Sequence, residues 1–300
     1  MRPLRALGIY VLVVLLAGAL LAPWLYWLAQ AAARSFPDLA QQPFHRFVNR
    51  SLLILALAGV WPLLRALGAT SLNEIGLTRP TAHWRALLRG LLLGFASLAL
   101  VASVALAAGG RAFHQPNDAM QLAEKLLGAV LSALMVAVIE ETLFRGGIFG
   151  GLRRVFRWPT ALVASSMIYA ILHFLESASY DAPVTGMSGL ELLPRMMSGF
   201  ANWEQIVPAF FNLTLAGALL ALAYQRHGSL YFSIGLHAGW IFWLRSYGVL
   251  TRETAGSNPW LWGTGNLIDG WLALAILALV LLWFWKLSGR EEGTGVAQSP

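Results

Sequence analysis

Glu140 and Glu141 stand side by side in Val-Ile-Glu140-Glu141-Thr-Leu-Phe-Arg145, at the end of a long apolar run in which nothing else ionises. A charge near a bilayer centre costs at least about 2.5 kcal/mol on insertion scales, so a pair of carboxylates in such a place answers to a partner or a function. Glu141 and Arg145 are spaced i, i+4, which puts them on one helical face as an ion pair. Glu140 is rotated by about 100° from its neighbour and is left to face something else. That division gives Glu141 and Arg145 a structural task and leaves Glu140 for acid–base work. The plainer alternative is an ion-pair network that locks helices together.

Two histidines lie in similar surroundings. Tyr169 and His173 share a face of Ser166-Met-Ile-Tyr169-Ala-Ile-Leu-His173, and His237 is the lone ionisable group of Ser233-Ile-Gly-Leu-His237-Ala-Gly-Trp240-Ile241. Either imidazole alone could simply be hydrogen-bonded to a neighbouring helix. At about 1.5 Å per residue, however, Glu140, His173 and His237 fall at similar depths in their apolar segments, within several Å of the mid-plane. The three are therefore expected to converge on one cavity.

These residues need helices that cross a membrane, and the composition supplies them. Of 300 residues, 58% are hydrophobic and 12% charged, about half the charge content of an ordinary soluble domain. The mean hydropathy is +0.64. Apolar runs at 6–28, 51–67, 86–108, 126–152, 159–175, 206–224, 229–247 and 267–285 approach or exceed the roughly 18 to 20 residues that span hydrocarbon. The expected fold is all-α, a polytopic helix bundle of about eight transmembrane helices forming one membrane domain over 1–300, with a polar tail at 288–300. Pro62 interrupts the second run, and Gly146, Gly147, Gly150 and Gly151 favour a kink or tilt in the fourth. Arg2 and Arg5 before an apolar stretch, with Ala31 to Ala33 after it, resemble a signal peptide, but the apolar core is too long for one and a retained helix is expected.

With the N-terminus inside, the larger share of Lys and Arg falls on the cytoplasmic side, Arg79, Arg85, Arg89, Arg153, Arg154 and Arg157 among them. Both termini are thus expected in the cytoplasm. This bias and anionic lipid headgroups account for the net charge of +7, and no nucleic-acid motif accompanies it. Cysteine is absent, which removes disulfides, thiolate metal sites and a cysteine nucleophile. The longest connection, 177–205, carries Pro183, Gly186, Gly189 and Pro194 and reads as an irregular loop or lid, with 190–203 as a short amphipathic segment on the membrane surface. In the sixth run, Asn212 adds a polar group, and Gly217 with Ala221 forms a small-residue face for close helix approach.

The chain resembles the CPBP intramembrane proteases, which include the type II CAAX prenyl endopeptidases and bacterial immunity-type homologues. The family's Glu-Glu-x-x-x-Arg is matched by Glu140, Glu141 and Arg145, its Phe-x-x-x-His by Tyr169 and His173, and the His of its His-x-x-x-Asn by His237. Tyr169 replaces the Phe, and Ile241 stands where the Asn is expected. The resemblance covers about 126–242. It implies hydrolysis of a peptide bond in a membrane-associated peptide or protein, in the cytoplasmic membrane if the source is bacterial. Glu140 with His173 would activate a water, and His237 would stabilise the oxyanion or protonate the leaving amine. With the oxyanion donor missing at Ile241, either Asn212 or backbone groups would substitute or activity would be reduced, and Tyr169 is a further polar group of the cavity.

The family has been described both as metal-dependent and as glutamate proteases. Glu140, His173 and His237 could form a His₂Glu set for zinc, but one carboxylate cannot be both ligand and free base, and the reading without a bound metal is preferred. Membrane lipids and a membrane-associated peptide are the expected partners. A non-catalytic immunity-type protein of the same fold and a proton-coupled transporter are the alternatives. For the transporter, no inverted repeat is visible.

Overall fold

The computed structural model describes residues 2–69, 71–114, 118–175, 178–197 and 203–291. The helices are α1 (Arg2–Ala31), α2 (Pro37–Ala40), α3 (Phe44–Ala66), α4 (Pro80–Ala107), α5 (Ala119–Glu141), α6 (Gly150–Leu152), α7 (Trp158–His173), α8 (Ser188–Arg195), α9 (Trp203–His227), α10 (Tyr231–Leu250), α11 (Pro259–Trp262) and α12 (Trp271–Glu291). A 3₁₀ turn at Leu72–Ile75 precedes α4, and a π-helical segment, Thr142–Phe149, joins α5 to α6. The fold is all-α apart from a short antiparallel ribbon, β1 (Arg111–Phe113) with β2 (Thr251–Glu253), in which Ala112 faces Arg252. This ribbon, which hydrophobicity alone does not announce, clips the end of α4 to the end of α10. Arg111 holds it from below, paired with Glu253 at 3.1 Å and lying over the Tyr247 ring.

Each of the eight apolar runs contains a long helix. Pro80, Pro159 and Pro259 sit in the first turns of α4, α7 and α11, where a missing N–H costs nothing. The Asp118 carboxylate caps α5 by accepting from the Met120 and Gln121 amides. α3 continues through Pro62, and the glycine-rich end of the fourth run widens into π-helix. Among the described residues, five helical stretches are long and apolar enough to cross a membrane: Pro3–Ala31, Phe44–Ala66, Leu72–Ala107, Ala119–Leu152 and Ile206–His227. α7 has 16 residues, about 24 Å against a core of roughly 30 Å. α10 is buried from Tyr231 through Ile241, so protein rather than lipid surrounds much of it. Large apolar side chains such as Leu12, Leu131, Met135 and Leu279 are exposed on the outer helices, a surface that suits lipid and not water. The chain is a multi-pass membrane protein.

Glycine sets the tightest contact. Gly90 and Gly94 of α4 lie against the Phe232 and Leu236 backbone of α10, while Gly235 and Gly239 of α10 lie against the backbone of α4 at Leu87, Leu91 and Phe95. A Cβ at any of the four would overlap main-chain atoms that have no room to move. The contact is closed by the Trp240 indole, which donates to Ser97 Oγ at 2.9 Å. Around it Leu98, Leu220, Leu236 and Leu277 join α4, α9, α10 and α12 into one core. A parallel contact brings Gly217 of α9 against Ser166 of α7, the small-residue approach that Gly217 and Ala221 foreshadow.

The connection after α7 departs from expectation. Residues 188–195 form α8, whose Gly189 abuts the Ala19 carbonyl of α1 and whose Leu192 is buried with Ala22, Phe44 and Val48. The apolar side of the amphipathic segment docks on α1 and α3; 198–202 and the tail residues 292–300 lie outside the described residues.

Candidate active site

Glu140 and Glu141 are the last two residues of α5, and Arg145 lies in the π-helical segment that follows. Single π-type expansions in helices are frequent at functional sites because they re-aim side chains without breaking the helix. Here the expansion keeps Arg145 Nη1 3.0 Å from Glu141 Oε1. Its Nη2 donates to the Gly217 carbonyl at 3.3 Å, and the guanidinium lies 4.7 Å from the Tyr169 ring centroid. Both members of the pair are buried, so a carboxylate, a carbonyl and an aromatic face take the place of water around Arg145.

Glu141 has a second task that the sequence does not disclose. Its Oε1 also lies 2.8 Å from His237 Nδ1. A carboxylate paired with Arg145 accepts, so the Nδ1–H of His237 donates to it and Nε2 is the nitrogen that points away from Glu141. His173 is oriented the same way by a different group. Its Nδ1 donates to the Tyr169 carbonyl one turn earlier, at 2.8 Å, which again leaves Nε2 free.

Both Nε2 atoms face Glu140. Its Oε2 is 3.8 Å from His173 Nε2 and 3.8 Å from His237 Nε2, too long for direct hydrogen bonds and within the reach of a bridging water. That oxygen is buried and has no hydrogen-bond partner. The Tyr169 hydroxyl completes the cluster, 3.3 Å from His237 Nε2. Glu140, Tyr169, His173 and His237 all line one cavity of about 340 Å³ whose other walls include Leu213, Trp240 and Ile241. The orientation of His237 follows from helix geometry. It is two residues from both Gly235 and Gly239, about 200° around α10, so the face packed on α4 is opposite the face that carries the imidazole.

Asn212 is not brought into this cluster. It is fully buried, its Nδ2 donates to the Pro208 and Gly270 carbonyls, each at 3.0 Å, and it does not line the cavity. Its amide pins α9 to the start of α12, so the donor expected to stand in for the missing asparagine is committed elsewhere. Ile241 does line the cavity and is nearly buried there.

Residues 122–243, from α5 to α10, match the family described as type II CAAX prenyl endopeptidase Rce1-like. The match includes every residue of the cluster and supports a relationship to the CPBP intramembrane proteases over this stretch. No curated protein and no solved structure matches the chain.

Proposed function

We propose that the protein is an intramembrane endopeptidase in which Glu140 activates a water held between the two imidazoles. The observation that carries this is the unpartnered Glu140 Oε2 at equal distance from His173 Nε2 and His237 Nε2. Glu140, steadied by His173, takes a proton from the water, and the oxygen forms a bond to the scissile carbonyl carbon while the carbonyl electron pair moves to its oxygen. The proton then moves from Glu140 to His237 Nε2, 3.8 Å away and within reach through a water; as the pair returns, the C–N bond breaks and His237 gives that proton to the leaving amine. Glu141 favours this role for His237: a carboxylate on Nδ1 holds the ring in place and supports the positive charge it carries when Nε2 is protonated. In this reading all eight long helices cross or line the membrane with both termini in the cytoplasm, and the substrate is a peptide or protein presented from the bilayer.

Glu140, His173 and His237 are of the right kind for zinc, and both imidazoles have the outer hydrogen bond that metal-bound histidines show. A Glu140 bound to metal would no longer serve as base. The mechanism therefore uses no metal step. A non-catalytic role has one observation in its favour, the apolar Ile241 in the wall of the cavity. The test is hydrolysis of a library of membrane-anchored peptides by the purified protein, compared with Glu140→Ala. Cleavage by the parent and none by the variant is expected; equal activity, or none in either, overturns the reading.

A further inference from the structure

We infer that the Tyr169 hydroxyl is the donor that stabilises the oxyanion in this protein, a role that rests on the endopeptidase reading and extends it. Hydrolysis places negative charge on the carbonyl oxygen, and a dry site must meet it with a preorganised N–H or O–H. The donors in the cavity can be taken in turn. Ile241 has none, and Asn212 spends both amide hydrogens on main-chain carbonyls outside it. Trp240 lines the cavity, but its indole N–H is given to Ser97. Arg245 is eight residues beyond His237 on α10, about 12 Å along the helix, and Asn266 is exposed in the turn before α12. Among the described residues that line the cavity, Tyr169 is the one with a hydroxyl, and it lies within hydrogen-bond distance of a reacting imidazole.

Its surroundings suit that task. The ring meets Phe144 edge to face at 4.9 Å, lies 4.2 Å from the His173 ring and carries Arg145 over its face, so the hydroxyl is fixed by packing on three sides. Its present bond to His237 Nε2, at 3.3 Å, is at the long end for an O–H donor. A carbonyl oxygen entering between Tyr169 and His237 would offer a shorter one. When the oxyanion forms, Tyr169 donates to it from the α7 side while water oxygen bonds to the carbon from the Glu140 side. As the carbonyl reforms and the amine leaves with its proton, the hydroxyl returns to His237 and is unchanged. The two departures from the motif pattern then belong together: the donor absent at position 241 of α10 is supplied at position 169 of α7.

Tyr169→Phe removes one oxygen and keeps the packed ring. Its expected effect is a fall in kcat of about 10²-fold with KM nearly unchanged, the signature of a group that acts in the transition state. Adding Ile241→Asn to Tyr169→Phe is expected to restore part of the loss, while Asn266→Ala alone leaves the rate unchanged. Thermal unfolding in detergent identifies any variant that has lost its fold. Full activity in Tyr169→Phe overturns the assignment. So does a loss that Ile241→Asn does not relieve and that comes with a displaced pH–kcat profile, which would make Tyr169 a positioning residue for His237. Glu140→Gln separates the two layers: if it is inactive while Tyr169→Phe is fully active, only the oxyanion assignment fails, and if it is as active as the parent, the endopeptidase mechanism fails first.

Discussion

Arg145→Ala is the most exacting test of how the site is held. The guanidinium is buried, with Glu141 Oε1 3.0 Å from Nη1 and the Gly217 carbonyl 3.3 Å from Nη2. Glu141 is wholly buried, and its other oxygen has no partner. Removing one member of a buried pair leaves an uncompensated charge and costs about 3 to 5 kcal/mol. The Gly217 carbonyl keeps its helical bond and loses only a second donor, which adds about 1 kcal/mol at most. One group opposes this loss: His237 Nδ1 stays on Glu141 at 2.8 Å and keeps part of the carboxylate's solvation. The net expectation is a destabilisation of about 3 kcal/mol, in the lower part of the range for a broken buried pair. Unfolding of purified protein in detergent, followed by circular dichroism against temperature or added dodecyl sulfate, measures it. Replacing both partners, as Glu141→Gln with Arg145→Met, removes the unpaired charge and should recover more than half of the stability, although not activity. An Arg145→Ala protein as stable as its parent would refute the reasoning, since it would mean that the guanidinium reaches water or lipid headgroups.

The close approach of α4 and α10 predicts that Gly235→Leu abolishes folding or activity, because its side chain would meet the Leu87 carbonyl, whereas Gly128→Ala on α5, where a Cβ meets nothing within 4 Å, is neutral or slightly stabilising by denaturation in detergent. Asn212→Leu is expected to lower stability through the lost bonds to Pro208 and Gly270 while leaving kcat within a few-fold of the parent; a selective 10²-fold fall in kcat would return Asn212 to the mechanism. Treatment with a strong chelator followed by dialysis should leave the rate of peptide cleavage unchanged, and a loss reversed by added zinc would show that Glu140, His173 and His237 serve as ligands.

What could be seen in the sequence follows the range of the interactions concerned. The helices over the apolar runs rest on local hydrophobicity, and the Glu141–Arg145 pair rests on a spacing within one turn, so both were legible. The contact between Glu141 and His237 joins positions 96 residues apart, and nothing local specifies it. Asn212 shows the same limit from the other side: its helix could be placed beside the site, but which way its amide faces depends on where Gly270 arrives. Gly90 and Gly94 recur at the same four-residue spacing as Gly235 and Gly239, a visible signal of close packing, yet only the fold pairs α4 with α10. The residues after α7 were read by their amphipathic character alone, and a pattern of that kind cannot distinguish a lipid surface from the sides of α1 and α3.

The opposed faces of α10 connect the packing of the bundle to its chemistry. On one side Gly235 and Gly239 allow α4 to approach to main-chain distance; on the other, His237 meets α5 and α7. A side chain added on the glycine side would push α10 toward the cavity, and the 3.8 Å gap between His237 Nε2 and Glu140 would be the first distance to change. Misplacement by about 1 Å can cost 10²-fold in rate even when it arises far from the reacting atoms. In the proposed mechanism the glycines are thus part of the catalytic geometry without touching the substrate. Glu141 plays the corresponding part on the inner side, since one oxygen holds both the cation that anchors the π-helical segment and the imidazole that faces the cavity. Variation at Glu141 cannot separate stability from activity, whereas Glu140, which anchors nothing, should separate them cleanly.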